Sequence, residues 1–156
     1  MRIYQLKVSL LYNKRTYRVI EIGENQTLYH LHQSIFEAYD RDELHLYSFF
    51  LTRTATKSIR LMYDSPEYTD PNAIFDMASF GDNPKHDAEK TKIRELNLIE
   101  KDRFYYLFDF GDCCWHEITV LEIQKNDNSK SYPRIIKIQG VSPALYEFDD
   151  DEEPPY

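Results

Sequence analysis

A chain of 156 residues and 18.7 kDa, 42% hydrophobic and 15% aromatic, is long enough for one buried core and too apolar to be disordered. No apolar run approaches the roughly 18 residues that a spanning helix needs, and the opening stretch MRIYQLKVSLL reads as neither signal peptide nor anchor. The formal charge of −8 is concentrated in residues 147–153, six acids in seven positions, whereas residues 1–146 carry 19 Lys and Arg against 21 acids. The basic residues are scattered rather than stacked in a stripe with interleaved aromatics, so nucleic acid is not an expected partner. A membrane is not expected either. The two cysteines, Cys113 and Cys114, are adjacent. A planar trans peptide between them strains any bridge, which points to reduced thiols and a cytoplasmic protein.

Residues 2–11 alternate apolar and polar and predict a strand with one buried face. Residues 12–15 predict a turn, with Asn13 able to take a left-handed conformation. Residues 16–22 predict the second strand of a hairpin. Thr27 is the expected N-cap of a helix over residues 28–39, where Leu28, Leu31, Ile35 and Ala38 recur at helical spacing. That helix is too short to stand alone and must lie across the hairpin. Residues 44–52 predict a third strand and residues 58–63 a short fourth. Asp70-Pro71-Asn72 looks like a helix start, with a helical turn over residues 72–78. Residues 80–89 predict an exposed loop, and residues 92–96 a helical turn ending at Asn97. Residues 104–110 and 113–123 predict an aromatic hairpin, with Trp115 packed on the main helix. Residues 134–139 predict a last strand. The expected architecture is α+β: a mixed or antiparallel sheet, an N-terminal hairpin and one main helix across it, with a β-grasp-like start. Residues 1–146 form one domain in this reading, and residues 147–156 a flexible acidic tail.

The polar candidates for chemistry are His32, His45, Asp109, Asp112 and His116. Two carboxylates and three imidazoles could supply a divalent-metal site or a general acid and base. The plainer expectation is that Asp109 and Asp112 bond the amides of their own turn, and that His116 donates to a strand carbonyl. No close-spaced ligand pair such as HExxH is present, and neither a metal nor a cofactor is expected. The triplet Asp109-Phe110-Gly111 is not a kinase signature, since no glycine-rich loop or His-Arg-Asp loop accompanies it. The dispersed arginines do not suit a recombinase. The aromatics of residues 105–110 are expected to pack in the core, with those on the far face free to form a binding surface.

Several stretches taken together resemble a known family. They are Thr27-Leu28 with Leu31, His32 and Ile35; His45-Leu46 with Phe49; Tyr105 with Phe108-Asp109-Phe110-Gly111-Asp112, Trp115, His116 and Ile118; and Tyr132-Pro133-Arg134 with Gly140 and Pro143. This pattern is similar to the plasmid ORF-3-like family of the root-inducing plasmid pRiA4b, over about residues 3–146. After Tyr132-Pro133-Arg134 the chain has Ile135-Ile136-Lys137 where the family often has a Cys-Leu-Asp-Gly-like stretch, and Ala144-Leu145-Tyr146 follows Pro143 where many members have an acidic pair. The resemblance implies an α+β fold with a helix laid on a mixed sheet, and no established biochemical function. Two functions follow as expectations. One is a non-enzymatic protein-interaction module of bacterial or mobile-element origin. The alternative is a metal-dependent hydrolase or nuclease that uses the Asp/His set.

Ten residues cost on the order of 10–20 kcal/mol of backbone entropy to order, which Phe148 and Tyr156 alone cannot offset. Deleting residues 147–156 is therefore expected to leave the melting temperature nearly unchanged while the formal charge rises from −8 to −2. Differential scanning calorimetry of the two chains checks this.

Overall fold

The computed structural model describes residues 1–74, 84–111, 113–125 and 130–142. Period-two alternation sets its first two elements. Strands β1 (Arg2–Leu10) and β2 (Asn13–Gly23) pair antiparallel from Ile3 opposite Gly23 to Leu10 opposite Asn13. Tyr4, Leu6, Val8, Ile20 and Ile22 are all buried in the main core. Asn13 sits in the ladder without a positive φ, so the turn is only Leu11 and Tyr12.

Helix α1 (Leu28–Ala38) lies on that core face. Thr27 caps it as expected. Its hydroxyl accepts from the His30 amide at 3.4 Å, and His30 Nδ1 accepts from the Thr27 amide at 3.0 Å. A histidine thus fills the capping-box place usually held by Glu or Gln. Leu28, Leu31, Ile35 and Ala38 bury the apolar stripe. At the other end stands Arg18, only 2% exposed. Its Nε–H donates to the Ala38 carbonyl at 2.8 Å, and Nη1 donates to the carbonyls of Tyr17, Gln139 and Gly140. A cation there offsets the negative end of the helix dipole. Gly140 has φ +81°, and a Cβ would stand 2.6 Å from Thr16 Oγ1, so a glycine is needed.

The remaining strands are β3 (Tyr47–Arg53), β4 (Glu67–Thr69), β5 (Lys85–Asp87), β6 (Arg103–Phe108), β7 (Cys114–Lys125) and β8 (Arg134–Gln139). They complete an eight-stranded sheet in the order β5-β4-β3-β6-β7-β1-β2-β8. Neighbours are antiparallel except β4 and β5, which run parallel. The architecture is α+β, with the expected N-terminal hairpin. The order hairpin, helix, strand also holds. However, β6 and β7 separate β3 from β1, so the likeness to a β-grasp opening extends no further than the order of elements.

Four further expectations are corrected. Residues 58–63 are not a strand: Ser58 Oγ accepts from the Leu61 amide at 3.1 Å and caps helix α2 (Ile59–Tyr63). Ile59, Met62 and Tyr63, at helical spacing, pack on the second core cluster. Trp115 is buried, but not under α1. Strand parity sends His116 toward α1 and Trp115 to the opposite face, against Phe50, Met62 and Tyr63. The far-face aromatics of residues 105–110 are not free, because Tyr105 belongs to that same cluster and Phe110 packs against it. Finally, the expected loop at residues 80–89 contains β5, a three-residue edge strand without apolar alternation.

The helix start at Asp70-Pro71-Asn72 is observed as α3 (Pro71–Ile74). The rest of the turn expected over residues 72–78 lies outside the described residues, as does the acidic tail. No helix among the described residues is long and apolar enough to cross a membrane.

Trp115 is 3% exposed and fills the space between β7 and α2, whereas Ile138 is 64% exposed. Trp115→Ala should cost about 3–5 kcal/mol, as large core truncations do. Ile138→Ala should change stability by less than about 0.5 kcal/mol. Urea denaturation of both variants measures the difference.

Candidate functional site

Strand β6 places Tyr106 on the α1 face at the centre of the sheet, fully buried. Two candidate histidines meet it from different elements. His32, on α1, lies with Nδ1 2.6 Å from the Tyr106 hydroxyl. His116, on β7, lies with Nδ1 3.2 Å from the Tyr106 carbonyl. The tautomers follow from counting donors. The Tyr106 hydroxyl has no other acceptor among the described residues, so it donates to His32 Nδ1 and leaves the imidazole proton on Nε2. Arg41 Nη2 donates to His116 Nε2 at 2.6 Å. His116 therefore keeps its proton on Nδ1 and donates to the Tyr106 carbonyl, the bond that sequence reasoning expects.

Both imidazoles are held neutral. Burial, aided by the Arg41 charge, lowers the His32 pKa to about 3. The same two causes push His116 well below its usual value. The Arg41 guanidinium is stacked 4.8 Å from the ring centres of both Tyr39 and Phe108. Its Nη2 also stands 3.5 Å from the Cys114 sulfur, and Cys114 and Cys113 are both reduced.

His45 and Asp109 form a separate pair. His45 precedes β3 in the loop after α1, with Nδ1 3.8 Å from Asp109 Oδ2 and Nε2 3.5 Å from Glu43 Oε2. The two carboxylates flank opposite ring nitrogens and share no common point. Asp109, at φ +62°, also accepts from the Gly111 amide at 3.1 Å, as expected of a turn aspartate. Asp112 lies outside the described residues. The Phe108 ring separates the groups, with its centre 6.1 Å from the His32 ring and 5.5 Å from the His45 ring. The structure thus brings His32 and His116 to one tyrosine and His45 to Asp109. Among the described residues no three of His, Cys, Asp and Glu gather as metal ligands do.

Sequence reasoning missed a groove of about 960 Å³ between α1, the loop that follows it and α3, within the roughly 300–1,000 Å³ range of ligand sites. Tyr29, Gln33, Phe36 and Glu37 supply the α1 wall, His32 and Tyr47 are further lining residues, and Asp70 and Glu89 line it from outside α1. The Tyr47 ring stacks on His32 at 3.7 Å and 5°. Tyr47 is 1% exposed, and its hydroxyl has no hydrogen-bond partner among the described residues. Its pKa is raised, first by burial and then by the charges of Asp70 and Glu89. The only available signal was helical spacing: Tyr29, Gln33, Phe36 and Glu37 lie on one side of α1, beside the buried stripe.

An eight-stranded α+β sheet with one main helix across it and a tyrosine-centred pair of neutral histidines defines the structural class. The chain belongs to the plasmid pRiA4b ORF-3-like protein family, whose model matches residues 2–144. Its fold is similar to that of MM3350 from Methanosarcina mazei Go1, described as a protein of unknown function. That crystal structure superposes with a TM-score of 0.67 at 19% identity, covering 91% of this chain and 71% of the other. None of the curated proteins matches the chain.

Because His32 is neutral when folded and titrates near 6.5 when unfolded, the unfolded state binds more protons below that pH. Stability is therefore present above pH 6.5 and is lost as pH falls toward the folded pKa of about 3. Wild type should lose about 2–3 kcal/mol more than His32→Phe between pH 7 and pH 4.5. At pH 7 the variant should be less stable by about 1–3 kcal/mol, because the Tyr106 hydroxyl loses its acceptor. Urea denaturation at the two pH values reads both effects.

Proposed function

We propose that the protein is a non-enzymatic interaction module that recognises another polypeptide through the groove beside α1. The observation that carries this reading is the Tyr47 hydroxyl, left unpaired in a residue that lines the groove and is influenced by Asp70 and Glu89. A buried unpaired hydroxyl costs free energy that an arriving hydrogen-bonding group recovers. The length of the groove fits a chain. Tyr29 and Glu37 are separated by eight residues of helix, about 12 Å, which three or four extended residues span at about 3.3 Å each. A hydrolase reading has less support, because His32 and His116 have committed ring nitrogens to Tyr106 and Arg41.

Titrating ¹⁵N-labelled protein with capped tetrapeptides of basic, acidic and neutral side chains tests the reading. At least one class should shift the amide signals of Tyr29, Gln33, Phe36 and Leu44, with the peptide recovered intact. If no class shifts them, or if the shifts gather elsewhere, the groove is not the recognition site.

A further inference from the structure

The charge of the groove specifies its occupant. Glu37, Asp70 and Glu89 line it, while no lysine or arginine is among its described lining residues. Its histidines do not reverse that balance: His32 is neutral, and His45 is flanked by Glu43 and Asp109. Asp87, at the edge of the same region, adds to the negative field felt by the Tyr47 hydroxyl. Acidic side chains alone make no site, but here they line the groove together with Tyr47, a residue 1% exposed whose buried hydroxyl is unpaired among the described residues. The aromatic rings of Tyr29 and Phe36 line the same wall of α1.

We propose that the groove binds an extended segment of a partner protein through a lysine or arginine side chain, whose cationic head reaches Asp70 and Glu89 and donates to the Tyr47 hydroxyl. This rests on the interaction-module reading above and names the chemistry of the partner. The aliphatic stem of the basic side chain packs along Tyr29 and Phe36, as long cationic side chains do on aromatic surface. The Nε2–H of His32, unpartnered among the described residues, is the donor left for a backbone carbonyl of the bound segment. An acidic groove repels nucleic acid and anionic lipid by the same field that attracts the cation. An extended chain suits the length of the groove better than a compact free amine does.

The test is isothermal titration with the peptide acetyl-Gly-Lys-Gly-Lys-Gly-amide, its Nε-acetylated form, an all-glycine control and spermidine. The lysine peptide should bind. Acetylation, which removes the charge, should abolish binding. Asp70→Asn with Glu89→Gln should weaken binding about five- to thirtyfold, the worth of two ion pairs. Asn at position 70 keeps the bond that Asp70 now makes to the Asn72 amide at 2.9 Å, so α3 retains its cap. Tyr47→Phe should weaken binding about three- to tenfold, as loss of one hydrogen bond does, whereas a hydroxyl without a ligand role would leave binding unchanged. Circular dichroism melts of each variant confirm that the fold persists.

Equal binding of the acetylated or all-glycine peptide would overturn the cationic occupant and leave the interaction module standing. Binding of spermidine without the lysine peptide would overturn the polypeptide partner. Failure of the lysine peptide in wild type would overturn the inference outright. The acidic and neutral tetrapeptides of the preceding experiment then decide whether the groove binds anything.

Discussion

Tyr106 is the residue on which the arrangement depends. It lies on β6, in the middle of the sheet, and it uses both of its polar ends. The hydroxyl holds His32 of α1 at 2.6 Å, and the backbone carbonyl holds His116 of β7 at 3.2 Å. A fully buried phenol cannot leave its proton unpaired without a cost of about 1–3 kcal/mol. The cheapest solution is an imidazole that stays neutral. The depressed pKa of His32 is thus a consequence of where the helix must sit, and the proton on Nε2 is a consequence of the bond to Nδ1.

The groove inherits its shape from that contact. With His32 fixed, Tyr47 stacks flat on its ring, and stacked rings contribute about 0.5–1.5 kcal/mol beyond their burial. Tyr47 begins β3, whose register against β6 places it opposite Phe108. Its hydroxyl is buried without a partner among the described residues, in a groove that Asp70 and Glu89 also line. Arg41 closes the other side of the cluster. Stacked between Tyr39 and Phe108, it donates to His116, and its charge helps keep both imidazoles neutral. One buried bond, one ring stack and one wedged cation therefore define a site whose opening is acidic and whose buried His32 and His116 are uncharged.

Much of the fold was legible because its signals are periodic. The alternation of residues 2–10, the 3.6-residue stripe of Leu28, Leu31, Ile35 and Ala38, and the Thr27 cap each have one physical reading. The failures are short elements. Residues 58–63 carry too few positions for a strand to be told from a helix by composition, and the Ser58 cap was the deciding signal. Three-residue strands such as β4 and β5 owe their existence to their neighbours. Parity misled differently: one residue of difference sent Trp115 away from α1 and His116 toward it. The candidate histidines were recognised, but their partners were not. Tyr106 read as one more core aromatic, Tyr47 as part of a third strand, and Asp70 as a helix start. Pairings across 74 or 75 positions of sequence leave no local trace, and carboxylates from separate loops look like ordinary solvated charge.

The central claim is that His32 is a neutral imidazole bonded through Nδ1 to Tyr106, with its remaining proton on Nε2. Long-range ¹H–¹⁵N correlation spectra of the ring nitrogens, recorded from pH 8 to pH 4.5, measure this directly. The account predicts an Nε2–H pattern for His32 that does not change across the range, and a shift of its Nδ1 resonance in Tyr106→Phe. An imidazole titrating near pH 6.5, or a proton on Nδ1, would contradict it.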